Sequence, residues 1–374
     1  MSIKEIPAER VLAEGQFLDA AGVRFEAGRI VDVSPNVASG DVLEGTLVPG
    51  FFDVQVNGGG GALFNDVPTL ETIKIISDAH RKFGTTRMLP TLISDDLDKV
   101  EAAIRAVDTA IEAGVPGIMG IHLEGPFLNS VKKGVHDAKK LRKILLSHVP
   151  LLSSLTHGKT LLTLAPELAD QEVVLALLDA GVILSAGHTA ATYEQMKKAV
   201  SWGVTGFTHL FNAMTGFESR APGVVGAAFD SPGTFAGVIA DGYHVHPASL
   251  RHAIQTLGPD RTMLVTDAMP TVGAEDKSFE LYGETIVAEG GRCATADGVL
   301  AGSDLDMASA VRYVAETLGF GLAEAATMAS ETPARFIGLD ADFGAIAPGQ
   351  RADMVLLDNN LRVSAVWVDG ERLV

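Results

Sequence analysis

The sequence predicts an α/β protein: a (β/α)8 TIM-type barrel with a small β-domain drawn from both chain ends. Three observations carry this. Eight short apolar, strand-like runs recur through the middle of the chain. Segments with a 3.6-residue apolar period separate them, and eight such units over about 250 residues suit a barrel. Both ends of the chain alternate apolar and polar residues instead, as half-buried strands do.

Taken in order, residues 1 to about 48 read as strands, with "VRFEAGRIVDVSP" alternating around a Gly-containing turn. The barrel runs begin near Gly50, Thr85, Gly117, Lys159, Val182, Gly206, Phe235 and Thr262. Val100, Ile104, Val107 and Ile111 form one helical stripe, and Leu250, Ile254 and Leu257 another. After the eighth run, "FELYGETIVAEGGRCATADGVLAG" reads as a β excursion. The closing "RADMVLLDNNLRVSAVWVDGERLV" is strand-like again. Neither end holds enough apolar residues for a core alone, so 1–48 and 340–374 are expected to form one domain around the barrel 49–339. An open doubly wound sheet is the competing arrangement.

Composition narrows the function. The 374 residues are 47% apolar, enough for a large core, yet no apolar run approaches the roughly 20 residues of a membrane span. The beginning, "MSIKEIPAERV", lacks a signal-peptide apolar stretch, so the expectation is a cytoplasmic protein with no membrane partner. A formal net charge of −18 argues against nucleic-acid binding. Cys293 is the only cysteine, which excludes an intrachain disulfide and a cysteine-rich zinc site.

A barrel works at the C-terminal ends of its strands. The third run ends in His122-Leu-Glu124, the fifth in Gly187-His188-Thr189, and the sixth holds Thr208-His209 and Asn212-Ala213. The seventh ends in Asp241-Gly-Tyr-His244 and the eighth in Thr266-Asp267. Singly, each has an ordinary structural reading, such as Asp267 as a helix cap. Jointly they gather at one rim. Glu124, His188 and His209 make a plausible ligand set for one divalent ion, Zn2+ first and Fe2+ or another as alternatives, with a position left open for water. Asp267 is then placed to take a proton from that water and return it to a leaving nitrogen. His136, in "KKGVH", could bond a substrate carbonyl oxygen as charge develops on it.

The ordered set "HLEGPF", "KGVH", "GHT", "THLFNAM", "ADGYH", "VTDAM", "LAGS" and "PGQRADMVLLD" resembles the N-acetylglucosamine-6-phosphate deacetylases of the amidohydrolase superfamily, across essentially the whole chain. The resemblance implies a barrel flanked by a small β-sandwich built from both chain ends. It implies hydrolysis of the acetamide of a phosphosugar, with Glu124, His188 and His209 on the metal, Asp267 as base and acid, and His136 at the carbonyl. It further implies that Asn212, the backbone of Ala213, and His244 face the sugar phosphate. Arg220, in "GFESRAPG", would reach the phosphate of a neighbouring subunit in a homodimer, where its fork can pair two oxygens. His246 is a lower-ranked contact. An N-acetylgalactosamine-6-phosphate deacetylase or an N-acyl-amino-acid deacylase could use the same machinery. Ligands and base are all present, which disfavours a non-catalytic barrel.

Many metal-dependent barrel hydrolases carry His-x-His at the end of the first strand; here the positions read Gln55-Val-Asn57. The expectation is a single metal, with Gln55 near enough to touch the ligand shell. The following "NGGGG" lacks the Lys-Ser/Thr of a phosphate loop and reads as a flexible hinge beside the site.

Overall fold

All eight apolar runs are strands, and the barrel follows from their burial. The structure, a computed structural model, describes residues 3–35 and 42–374; residues 1, 2 and 36–41 of the expected N-terminal strand region lie outside the described residues. The barrel strands are Phe51–Val56, Thr85–Ile93, Gly120–Glu124, Lys159–Leu164, Ile183–Ala186, Gly206–Phe207, Phe235–Val238 and Thr262–Leu264. They pair in parallel in chain order. Every residue of Thr85–Ile93 is buried, as expected when a parallel strand is covered on both faces. The first and eighth strands meet through Asp267 N–H, which donates to Gln55 O at 2.9 Å, and through Asn57 N–H, which donates to Ala268 O at 2.9 Å.

The expected helical stripes lie inward. Leu97–Glu112 buries Val100, Ile104 and Val107, with Ile111 at the edge of the contact. Pro247–Leu257 buries Leu250, Ile254 and Leu257. That helix starts with a proline at its first turn, and the His246 ring caps it by accepting from Ala248 N–H at 3.2 Å. His246, the lower-ranked contact, is thus exposed and caps this helix.

The chain ends interleave in one seven-stranded sheet, ordered Glu371–Arg372, Val363–Val368, Met354–Leu357, Leu43–Pro49, Lys4–Ala13, Gln16–Glu26 and Arg29–Pro35. Strands from the last stretch pair directly with strands from the first, so neither end forms a domain alone. The sheet curls back on itself: a Cβ placed on Gly370 would lie 2.6 Å from the Phe25 ring, four strands away, and Ala352 N–H donates to Gly28 O at 2.9 Å. This fold encloses a second core of Val11, Val23, Phe25, Ile30, Met354 and Trp367. The Arg87 guanidinium joins the two parts from the second barrel strand. It grips both oxygens of buried Asp353, at 2.5 and 2.9 Å.

The β excursion is an antiparallel four-stranded sheet of Ser278–Leu281, Glu284–Glu289, Arg292–Ala294 and Leu300–Ser303. Leu281, Ile286, Cys293 and Ala301 pack it onto Leu63, Ile93 and Met269 at the barrel mouth. Cys293 is a buried packing residue there.

Candidate active site

At three strand ends the backbone leaves the extended conformation abruptly. His188, His209 and Asp267 have φ of 48, 32 and 51°. Non-glycine residues seldom adopt this left-handed region, and each does so at a cost of about 1 kcal/mol. The turns swing all three side chains into the barrel mouth. Strain of this kind concentrates where function fixes a side chain's direction.

Glu124 Oε1 lies 3.1 Å from His188 Nε2 and 2.9 Å from His209 Nε2, and the two nitrogens are 3.1 Å apart. Among the described residues these three are a group with ligand atoms all within 4.8 Å of one another. His188 Nδ1 can only donate to the carbonyl of Lys132, at 2.8 Å, so its Nε2 keeps a lone pair. A nitrogen lone pair aimed at a carboxylate oxygen is repulsive unless a cation or proton sits between them. The donor set therefore fits a divalent metal ion. Burial alone would push the Glu124 carboxyl up, but the two imidazoles outweigh it and hold it well below its ordinary value. At His209 burial opposes the charged ring, and the Glu124 contact more than compensates, raising its pKa. His122, two residues before Glu124, lies deeper: its ring sits between Thr91 and Thr163 hydroxyls at 3.2 and 2.8 Å, in a polar layer beneath the ligands.

His136 is fully buried. Its Nδ1 accepts from Ser94 N–H at 3.3 Å and sits 2.8 Å from the Ser94 hydroxyl. Because an amide can only donate, Nδ1 is the acceptor, and Nε2 carries the proton. Burial first, and then the neighbouring His188 ring, push its pKa well below the ordinary value. A neutral ring with an N–H to offer is suited to a developing oxyanion.

Asp267 is held at one oxygen. Asn57 Nδ2 donates to its Oδ1 at 2.6 Å, and Gln55 Nε2 at 3.2 Å. Burial first, and the Glu124 charge second, raise its pKa to about 6, against the pull of His209 and Asn57. Gln55 Nε2 also donates to Glu124 Oε2 at 3.2 Å, so one amide ties base to ligand. The residues where His-x-His was absent thus serve the carboxylate at the end of the adjoining eighth strand. Asn57 was read only as a missing ligand. Its place two residues past Gln55, on the same face of the strand, was the signal that it points to the same spot.

A cavity of about 270 Å3 brings together Asn57, Glu124, His136, His188, His209, Asn212, Ala213, His244 and Asp267. His244 Nδ1 is 2.6 Å from Asp241 Oδ2, and both side chains are nearly covered. Val299, Leu300 and Gly302 of the four-stranded sheet close one wall. Arg220 does not join this cavity. It is exposed and lines a second pocket with Lys132, Thr215 and Glu218.

The glycines depart from the expected hinge. Gly58–Gly59 pairs with Ala62–Leu63, and Gly60 and Gly61 make the turn with φ of 63 and 85°, as a type I′ hairpin requires. Gly60 and Gly61 amides donate to Val272 and Pro270 carbonyls, which fastens the hairpin beside Asp267. A Cβ on Gly58 would fall 2.6 Å from Ala62 O and 2.8 Å from Pro270 N. Close backbone approach, rather than hinge motion, requires glycine here.

The sequence matches the amidohydrolase family over residues 46–373. The chain belongs to the amidohydrolase family. This amidohydrolase is 45% identical, over 97% of its length and 94% of the other, to an N-acetylgalactosamine-6-phosphate deacetylase of Shewanella sp. (strain ANA-3). It is 33% identical, over 96% and 93%, to an N-acetylglucosamine-6-phosphate deacetylase of Haemophilus influenzae. Its fold superposes with a TM-score of 0.93, at 32% identity and over 100% of both chains, on a point mutant of N-acetyl-D-glucosamine-6-phosphate deacetylase from Mycobacterium smegmatis in complex with N-acetyl-D-glucosamine-6-phosphate. No helix among the amidohydrolase's described residues is long and apolar enough to cross a membrane.

Proposed function

We propose that this amidohydrolase removes the acetyl group of N-acetylglucosamine-6-phosphate, giving glucosamine-6-phosphate and acetate. The observation that carries the reading is the convergence of three groups in one cavity: a ligand triad, a carboxylate raised toward neutrality and a neutral imidazole donor. One divalent ion per subunit, Zn2+ or else Fe2+ or another, held by Glu124, His188 and His209, would supply Lewis acidity to the water and to the acyl carbonyl.

The chain's own residues do the rest. Asp267 takes a proton from the attacking water through the oxygen that Asn57 leaves free. The water oxygen bonds to the acyl carbon, and the carbonyl electron pair moves to oxygen. His136 Nε2–H donates to that oxygen. Asp267 then gives its proton to the sugar nitrogen as the C–N bond breaks, and acetate and the free amine leave. Gln55 keeps Glu124 and Asp267 in register. Asn212, the Ala213 amide and His244 face the phosphosugar. Arg220 completes the phosphate site of a partner subunit, which agrees with its absence from its own cavity and makes the working form a homodimer. Within this reading residues 49–339 form the catalytic unit, 1–48 with 340–374 the supporting sheet domain, and the enzyme works in the cytoplasm.

One observation favours a second reading. The relative at 45% identity is named for the galacto-configured substrate. Acetate release from N-acetylglucosamine-6-phosphate and N-acetylgalactosamine-6-phosphate, measured side by side on metal-loaded enzyme, decides between them. Release from neither would remove the function altogether.

A further inference from the structure

We infer that Tyr282, at the tip of the sheet that covers the cavity, is a positioning residue for His136. The inference rests on the carbonyl role proposed for His136 and goes beyond it. It says that the ring is correctly aimed only while the covering sheet is seated.

Tyr282 and Gly283 form the two-residue turn between Ser278–Leu281 and Glu284–Glu289, where Leu281 faces Glu284. Their φ values are 51 and 83°. Such turns favour glycine and asparagine, and an aromatic residue is a costly choice. The phenol supplies a reason for it. Tyr282 O–H donates to the backbone carbonyl of Ser94 at 2.8 Å. Asp137 lines the same pocket as Tyr282. Ser94 is the residue whose N–H and hydroxyl hold His136 Nδ1, and Asp137 is the next residue after His136. One hydroxyl therefore holds the backbone that supports the ring. Burial pushes the phenol above its ordinary pKa, so it stays a donor.

Other contacts seat the covering sheet as well, among them the Tyr243 hydroxyl, which donates to Gly290 O at 2.9 Å. Leu281 and Ile286 pack on apolar side chains, and the Ser303 amide donates to Asp267 O at 2.9 Å. Removing the phenol oxygen leaves these in place. Tyr282→Phe is therefore a narrow test that keeps the ring and its packing.

The experiment measures kcat and KM for N-acetylglucosamine-6-phosphate, together with metal content and Tm, on the full metal-loaded chain. It uses four forms: unaltered, Tyr282→Phe, His136→Asn and the double variant. If Tyr282 acts through His136, Tyr282→Phe lowers kcat between roughly 10- and 100-fold while KM and metal content stay near normal. In the His136→Asn background it then changes kcat by less than about twofold, because the ring it positions is gone. An unchanged kcat in Tyr282→Phe overturns the inference. So does a loss that multiplies onto that of His136→Asn, since it would reach the reaction by another route. A near-normal His136→Asn enzyme would instead remove the carbonyl role itself, and the inference with it.

Discussion

Asn57 Nδ2 lies 2.6 Å from Asp267 Oδ1 and fixes which oxygen of the carboxylate stays free. The two residues close the barrel between its first and eighth strands, where Asp267 N–H also donates to Gln55 O and Asn57 N–H to Ala268 O. A proton carrier needs one oxygen anchored and one available. The first strand supplies the anchor where other barrels supply a metal ligand.

Asp267→Asn should leave metal binding and substrate binding intact and lower kcat by roughly 100- to 10,000-fold, the usual weight of a general base. Turnover kinetics alongside equilibrium binding of the phosphosugar checks it. Near-normal turnover would exclude Asp267 as the base.

Asn57→Ala should move the acidic limb of the rate profile. Only ionised Asp267 accepts a proton, so activity rises with pH through its pKa, which stands at about 6 before any cation acts on it. A bound cation draws that value down. Losing the Asn57 N–H destabilises the ionised form and pushes the value up, so the limb should shift to higher pH by about one unit. A pH profile of kcat/KM for both forms reads this directly, and an unmoved limb would contradict it.

Chelation should abolish activity, and one equivalent of Zn2+ or Fe2+ per chain should restore it. Gln55 and Asn57 spend their amide donors on Asp267 and Glu124, so no second equivalent is expected. Elemental analysis of active protein showing two tightly held ions per chain would overturn this.

Arg220→Ala should raise KM for the phosphorylated sugar much more than for unphosphorylated N-acetylglucosamine, since a bidentate pair is lost. Mixing it with Asp267→Asn, under conditions that exchange subunits, should recover activity. Mixed dimers would hold one site with an intact base and an intact arginine. No recovery despite proven exchange would place Arg220 outside the neighbouring site.

Gly58→Ala should destabilise the protein by about 1–3 kcal/mol, because its methyl group meets two backbone atoms with nowhere to go. Gly61→Ala meets no atom within 4 Å and carries only the strain of its positive φ, so it should cost less. Thermal melts of the two variants give the comparison.

Amino-acid order was enough for much of this. The eight strands were readable because strands buried on both faces are short and mostly apolar, and every residue of Phe51–Val56 and Thr85–Ile93 is buried. Glu124, His188, His209 and Asp267 were readable because a barrel delivers the ends of its strands to one rim. The glycines of residues 58–61 misled, since a hinge and a tightly packed hairpin ask for the same residue.

The sequence by itself determined the barrel, the sharing of one sheet between the chain ends and the identity of the polar groups at the rim, because these follow from periodicity and strand order. Only the tertiary structure decided which atoms meet: Asn57 with Asp267 across 210 positions, Tyr282 with Ser94 across 188, and Arg220 excluded from its own cavity. Such contacts depend on where a closed barrel and a covering sheet bring distant strand ends, and no local pattern encodes that distance.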